Sequence, residues 1–144
     1  MKKDVWLGIS STQEFEGCPP EHIDLVTQAR LYKRNGKFYI SYEESELTGL
    51  EGTRTTVKLD GKMVTMIRKG TYASEMFFAE NQRHVGLYHV GGAALTITTH
   101  TSRVDNRIGE DGGRLIIDYS VEIDNNLAGQ HHFEMTVGTS PMSC

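Results

Sequence analysis

No stretch of this chain sustains a helical repeat. Apolar and polar residues alternate instead, and turn chemistry breaks the alternation every ten or so residues. The breaks fall at Asn35-Gly36, Asp60-Gly61, Glu80-Asn81, Gly91-Gly92, Glu110-Asp111-Gly112-Gly113 and Asp124-Asn125-Asn126. A period of two places every second side chain on one face of a strand. Short strands joined by tight turns form hairpins, and hairpins in series predict an all-β sandwich or barrel. The three prolines, Pro19, Pro20 and Pro141, lie outside the strand interiors, as that reading requires.

Turn positions also predict which residues face each other. A two-residue turn at Asn35-Gly36 sets Ile40 opposite Leu31 and Tyr42 opposite Ala29. A turn at Asp60-Gly61 sets Val57 opposite Val64, Thr55 opposite Met66 and Thr53 opposite Arg68. A three-residue loop at Asp124 to Asn126 sets Ile123 opposite Leu127, Tyr119 opposite His131, Ile117 opposite Phe133 and Leu115 opposite Met135. Apolar residues meet on one face in each hairpin, and a slip of one position would scatter them. From Ala94 to Ile108 the apolar parity switches: Leu95 and Ile97 are odd, Val104 and Ile108 even. A β-bulge near Thr101 to Arg103 reconciles the two halves. About eight to ten strands follow, with loops too short for a crossover helix. A consecutive antiparallel meander of that many strands removes its edges by closing into an up-and-down barrel.

With 144 residues, the chain has the size of one domain, spanning 1–144, and can bury roughly 70% of its unfolded surface without a covalent staple. Its net charge of −4 lacks the basic excess a DNA-binding protein uses on phosphates. The two lysines at the start precede no apolar signal core, and no segment approaches the ~20 apolar residues of a membrane span. Cys18 and Cys144 have neither disulfide nor zinc spacing. A cytoplasmic protein with reduced thiols, no membrane contact and no cofactor is the expectation.

The stretch "YEESELTGLEGTRTTVKLDG", followed by "VTMIRKG" and "SEMFF", resembles the YwiB-like family (DUF1934), small bacterial proteins of unknown function. The resemblance runs from the first strand to "FEMTVG". It rests on Tyr42 to Glu46, on Thr48 to Thr55, and on Arg68 with Gly70. It implies a calycin-like, lipocalin-like barrel and carries over no catalytic residue. The chain departs from lipocalins proper, whose early Gly-x-Trp is absent: Trp6 follows Asp4-Val5. It also departs from fatty-acid-binding proteins, since only "FEGCPPEH" separates the first two strands, too little for a helical lid.

Register sorts the acidic run. Tyr42 and Glu44 share the inward face with Phe38 and Ile40, while Glu43 faces water. Thr53, Thr55 and Arg68 also face inward. A guanidinium inside a barrel requires a partner, and Glu44 is the expected one, with threonine hydroxyls completing the shell. Either the pair fixes barrel closure, or it forms a polar mouth for a small amphipathic or anionic molecule above an interior lined by Phe78, Tyr119, Ile117 and Phe133. His131 is expected opposite Tyr119 and hydrogen-bonded to it. His84 and His100 become neighbours if the Gly91-Gly92 loop is one residue longer, but two histidines fall short of a metal set. Gly49 and Gly52 open no helix and therefore make a turn, not a phosphate cradle.

No catalytic constellation stands out: there is no Gly-x-Ser-x-Gly elbow, and neither cysteine has an arranged base. The candidate ligand-binding residues are Glu44, Thr53, Thr55, Arg68, Tyr119 and His131. Two other readings remain. One is a filled barrel whose outer surface meets a protein or RNA partner, with Tyr32 and Tyr39 on a lysine- and arginine-rich hairpin. The other is an enzyme using His131, Tyr119 and Glu44.

Overall fold

The alternation resolves into ten antiparallel strands in a computed structural model that describes residues 2–15, 17–90, 92–124 and 126–139. They are β1 (Lys2–Glu14), β2 (Glu21–Arg34), β3 (Lys37–Glu43), β4 (Thr53–Asp60), β5 (Met63–Gly70), β6 (Ala73–Ala79), β7 (Gln82–Val90), β8 (Ala93–Asn106), β9 (Gly113–Ile123) and β10 (Asn126–Gly138). Each strand pairs with its sequence neighbour, and β10 pairs back onto β1, so the sheet is a closed up-and-down barrel. One 3-10 turn, Glu46–Thr48, interrupts the β3–β4 connection. Among the described residues no helix is long and apolar enough to cross a membrane.

Strand β4 shows how the pattern works. Thr53, Thr55, Val57 and Leu59 are buried, and the residues between them are not. The same parity puts Val5, Leu7 and Ile9 of β1 inside, with Leu115 and Ile117 of β9 and Met135 and Val137 of β10. In a meander, successive turns alternate between the two ends of the barrel. At the end carrying the Asn35-Gly36 turn the interior is packed solid by Leu31, Ile40, Val57, Leu59, Val64 and Phe78. Ile108, in the β8–β9 connection, packs into the same cluster and plugs that end.

Several predicted registers hold. Leu31 faces Ile40, although pairing stops at Arg30 and Ser41, one step short of Ala29 and Tyr42. Tyr119 faces His131, Ile117 faces Phe133 and Leu115 faces Met135. The β8 irregularity falls between Thr101 and Arg103, as the parity switch predicts. The extra residue, Ser102, donates its hydroxyl to the Asp118 carbonyl at 3.1 Å. Val104 thereby turns back into the core.

Three registers differ. The β4–β5 turn is Gly61-Lys62, not Asp60-Gly61, because Gly61 takes the positive φ (61°) and Asp60 stays in the ladder opposite Met63. The ladder slides by two positions: Val57 faces Met66, Thr55 faces Arg68 and Thr53 faces Gly70. An even slide keeps every side chain on its face. At β9–β10 a bulge between Leu127 and Gly129 sets Ile123 opposite Asn126, not Leu127. His84 faces Thr99 and His100 faces Arg83, so the two histidines lie on opposite faces of the sheet. Gly91, Asn125, Pro141 and Cys144 lie outside the described residues.

Gly70 has a φ of 121°, and a Cβ there would stand 2.3 Å from the Gly52 carbonyl oxygen. Only glycine lets β4 and β5 approach this closely at the end of their ladder. Gly36 also has a positive φ, but nothing lies within 4 Å of its missing Cβ. Urea unfolding of Gly70→Ala should therefore show a loss of about 2–3 kcal/mol. Gly36→Ala should lose only about 1 kcal/mol. Equal losses would mean that backbone conformation alone, not the β4–β5 approach, sets the requirement.

Candidate functional site

At the other end, beside the connections 15–20, 44–52 and 71–72, the interior stays open. A cavity of about 340 Å³ is lined by Tyr42, Glu44, Thr48, Arg68, Tyr88, Tyr119 and His131 on its polar side. Leu25, Met66, Met76 and Phe133 contribute to its apolar side. Four of the six predicted site residues, Glu44, Arg68, Tyr119 and His131, meet here. Thr53 and Thr55 lie beneath, fully buried, and support the site without lining it. Phe78 and Ile117, predicted as lining, are fully buried in the packed half. Tyr119 and Phe133 do reach the cavity.

The ladders build one inward row across five strands: Tyr42 of β3 faces Thr55, Thr55 faces Arg68, Arg68 faces Ser74, and Ser74 faces Tyr88. Glu44 sits next to this row, its backbone N–H donating to the Thr53 carbonyl at 2.8 Å. Arg68 is thus level with Thr55, and Glu44 is level with Thr53. One step along an inward face is about 7 Å. That offset follows from the two-residue slide of β4 against β5, and it corrects the expected ion pair: among the described residues, no salt bridge joins Glu44 to Arg68.

Glu44 is held by hydroxyls instead. Thr48 donates to its Oε2 at 2.6 Å and Thr55 donates to its Oε1 at 3.0 Å. The loop that supplies Thr48 is pinned in turn. Ser45 caps the 3-10 turn, and Gly49 closes it in the left-handed region. Outside, Glu43 meets Arg54 at 2.7 Å. Thr53 accepts from the Tyr72 N–H at 3.2 Å.

Arg68 has no such shell. Its Nε is buried without a hydrogen-bond partner, and so is the Oγ of Ser74, its neighbour across the ladder. Sequence reading missed Ser74. Its parity with Met76 and Phe78 was the available signal, since all three belong to one face of β6. The charges in the cavity act on the tyrosines around them. Burial raises the pKa of Tyr42, the Glu44 carboxylate raises it further, and Arg68 opposes both. Burial raises Tyr119 as well, again opposed by Arg68. Both phenols therefore stay protonated at neutral pH and can donate.

His131 faces Tyr119 as predicted, but the two rings stack, with centroids 4.8 Å apart and planes 5° from parallel. No hydrogen bond joins them, and His131 Nδ1 is buried without a partner. Directly opposed cross-strand side chains bring their rings face to face, which leaves the nitrogens at the edge of the stack. Phe15 packs edge-on against His131 at 6.0 Å. Glu44, Tyr119 and His131 share one cavity, but no hydrogen bond connects them as a relay. Among the described residues, no group of three or more His, Cys, Asp or Glu side chains is arranged to hold a metal ion.

On the outer surface, ladders align Lys2, Tyr32, Tyr39 and Lys58 in one row across β1 to β4. The two tyrosines stack at 5.1 Å, and Arg34 lies 6.0 Å from the Tyr32 ring. On another outer patch, His132 sits between Asp118 and Glu134, bonded to both, with Glu134 at 3.0 Å.

A family model described as "Domain of unknown function (DUF1934)" matches residues 8–135. The chain is 24% identical over 132 residues to the Bacillus subtilis (strain 168) protein described as "Uncharacterized beta-barrel protein YwiB", covering 92% of this chain and 91% of that one. The crystal structure of ywiB protein from Bacillus subtilis superposes with a TM-score of 0.85 at 23% identity, covering 96% of this chain and 93% of that one. That likeness supports the barrel.

The adjacent histidines should titrate in opposite directions from the ordinary 6.5. Burial lowers His131. Hydrogen bonds that His132 donates to Asp118 and then to Glu134 raise it. By linkage, His131 makes stability fall as pH drops below 6.5, because the unfolded chain takes the proton more readily. His132 adds stability that is complete below 6.5 and is lost as pH rises through its raised folded value. Imidazole NMR titration should give two midpoints on either side of 6.5. A common midpoint would contradict the burial of His131.

Proposed function

The chain belongs to the DUF1934 family, whose function is unknown, and from its half-filled barrel we propose that it is a non-enzymatic binding protein for a small amphipathic molecule carrying an anionic group. One observation carries the reading: Arg68 reaches a cavity of about 340 Å³ with its Nε buried and unpartnered. A guanidinium nitrogen buried without a partner is costly, and a ligand carboxylate or phosphate at the guanidinium supplies what Glu44 does not. Small-ligand sites are mostly apolar with a few convergent polar groups, and Leu25, Met66, Met76 and Phe133 provide the apolar wall. The volume is at the low end of such sites, which favours a small molecule over a long acyl chain. The exposed thiol of Cys18 suits a reducing compartment such as the cytosol.

Native mass spectrometry of freshly purified protein should show a bound small molecule that Arg68→Gln protein lacks. Bare protein mass in both, together with a crystal structure whose interior is filled by side chains, would overturn the reading.

The outer row of Lys2, Tyr32, Tyr39 and Lys58 supports a second, independent reading, contact with single-stranded RNA through phosphate pairing and base stacking. Fluorescence anisotropy with a labelled single-stranded RNA should show salt-sensitive binding that weakens about tenfold or more in Tyr32→Ala/Tyr39→Ala protein. Unchanged binding in that variant would reject this surface.

A further inference from the structure

We infer that the ligand of the barrel cavity is a zwitterion with an apolar side chain, of the chemistry of a free aromatic or branched-chain amino acid. The inference rests on the binding role proposed above and specifies its ligand.

Glu44 and Arg68 carry opposite charges into one cavity without pairing to each other. Each keeps unused bonding capacity. An ionised carboxylate offers about four acceptor sites, and Glu44 uses up to three of them, for the hydroxyls of Thr48, Thr55 and Tyr42. Arg68 Nε donates to nothing among the described residues. A simple anion would neutralise Arg68 but place further negative charge near Glu44. A simple cation would do the reverse. A molecule with an ammonium and a carboxylate a few bonds apart bridges the offset that the β4–β5 register creates, and satisfies both ends.

The surroundings fit the same chemistry. The Tyr42 phenol lies in the inward row with Arg68 and hydrogen-bonds Glu44, so it links the two charged positions. Tyr88, the last residue of the inward row that holds Arg68, also lines the cavity. Met66, Met76 and Phe133 offer an adaptable apolar and aromatic wall for the side chain.

Isothermal titration at pH 7 with L-phenylalanine, 3-phenylpropionate and 2-phenylethylamine tests this, because the three share a ring and differ in charge. L-phenylalanine should bind about tenfold or more tighter than either single-charge analogue, as one additional charge-assisted hydrogen bond implies. Glu44→Gln should erase its advantage over 3-phenylpropionate, which should itself bind more tightly once the negative charge beside its carboxylate is gone. Arg68→Gln should abolish binding of both. If 3-phenylpropionate binds native protein as tightly as L-phenylalanine, or if Glu44→Gln leaves the advantage intact, the zwitterion inference fails and the anion-binding role stands. If none of the three binds, this ligand class is wrong, and the molecule found by native mass spectrometry decides the role separately. The comparison on native protein needs no variant, so it holds even if Glu44→Gln folds poorly.

Discussion

Everything inside the barrel depends on the ladder that joins its first and last strands. β1 and β10 pair over nine positions, from Trp6 opposite Gly138 to Glu14 opposite Gln130. Those hydrogen bonds remove the last free edges of the sheet and turn its inner face into an enclosed space of limited volume. At one end, large aliphatic residues and Phe78 are buried in that space. At the other, the inward positions carry tyrosine, threonine, glutamate and arginine, and packing leaves a cavity. Closure thus imposes a choice at every inward position: fill the interior, or leave polar groups to find partners there.

Glu44 and Arg68 meet that demand differently. Glu44 draws on nearby hydroxyls from a loop that its own sequence neighbours stabilise, so its burial is offset locally. Arg68 forms no salt bridge with that carboxylate among the described residues, although Thr55, its neighbour across the ladder, does reach it. Its lateral neighbours are Thr55, whose hydroxyl is already donated to Glu44, and Ser74, whose oxygen has no partner. Burying one guanidinium nitrogen without a partner, as at Arg68 Nε, opposes folding. The proposed ligand would supply that partner, in the cavity that Arg68 lines.

Much of the fold could be read from the chain, because alternation and turn chemistry are local and a barrel of hairpins has few other topologies. The parity switch in β8 revealed its bulge, since a single extra residue flips every later side chain. The direction each glutamate faces was legible for the same reason. What was not legible was the exact turn between β4 and β5. Asp-Gly and Gly-Lys are both acceptable two-residue turns, and both keep Val57 and Val64 inside. The burial pattern therefore could not distinguish them. That ambiguity hid the feature that matters most, since the two-residue slide separates Arg68 from Glu44 and sets it opposite Thr55. The Tyr119–His131 pairing was visible in the register, whereas ring stacking in place of a hydrogen bond depends on side-chain rotamers that no spacing encodes.

The central claim is that Arg68 is kept for a ligand and does not hold the barrel together. The most direct test is the stability of Arg68→Met protein, stripped of small molecules by unfolding and refolding, against native protein treated in the same way. Methionine keeps the apolar stem and removes the unpaired charge. Urea unfolding of the variant should show unchanged or increased stability. A loss of about 3–5 kcal/mol, the size expected when one partner of a buried ion pair is removed, would contradict it and make Arg68 a structural residue.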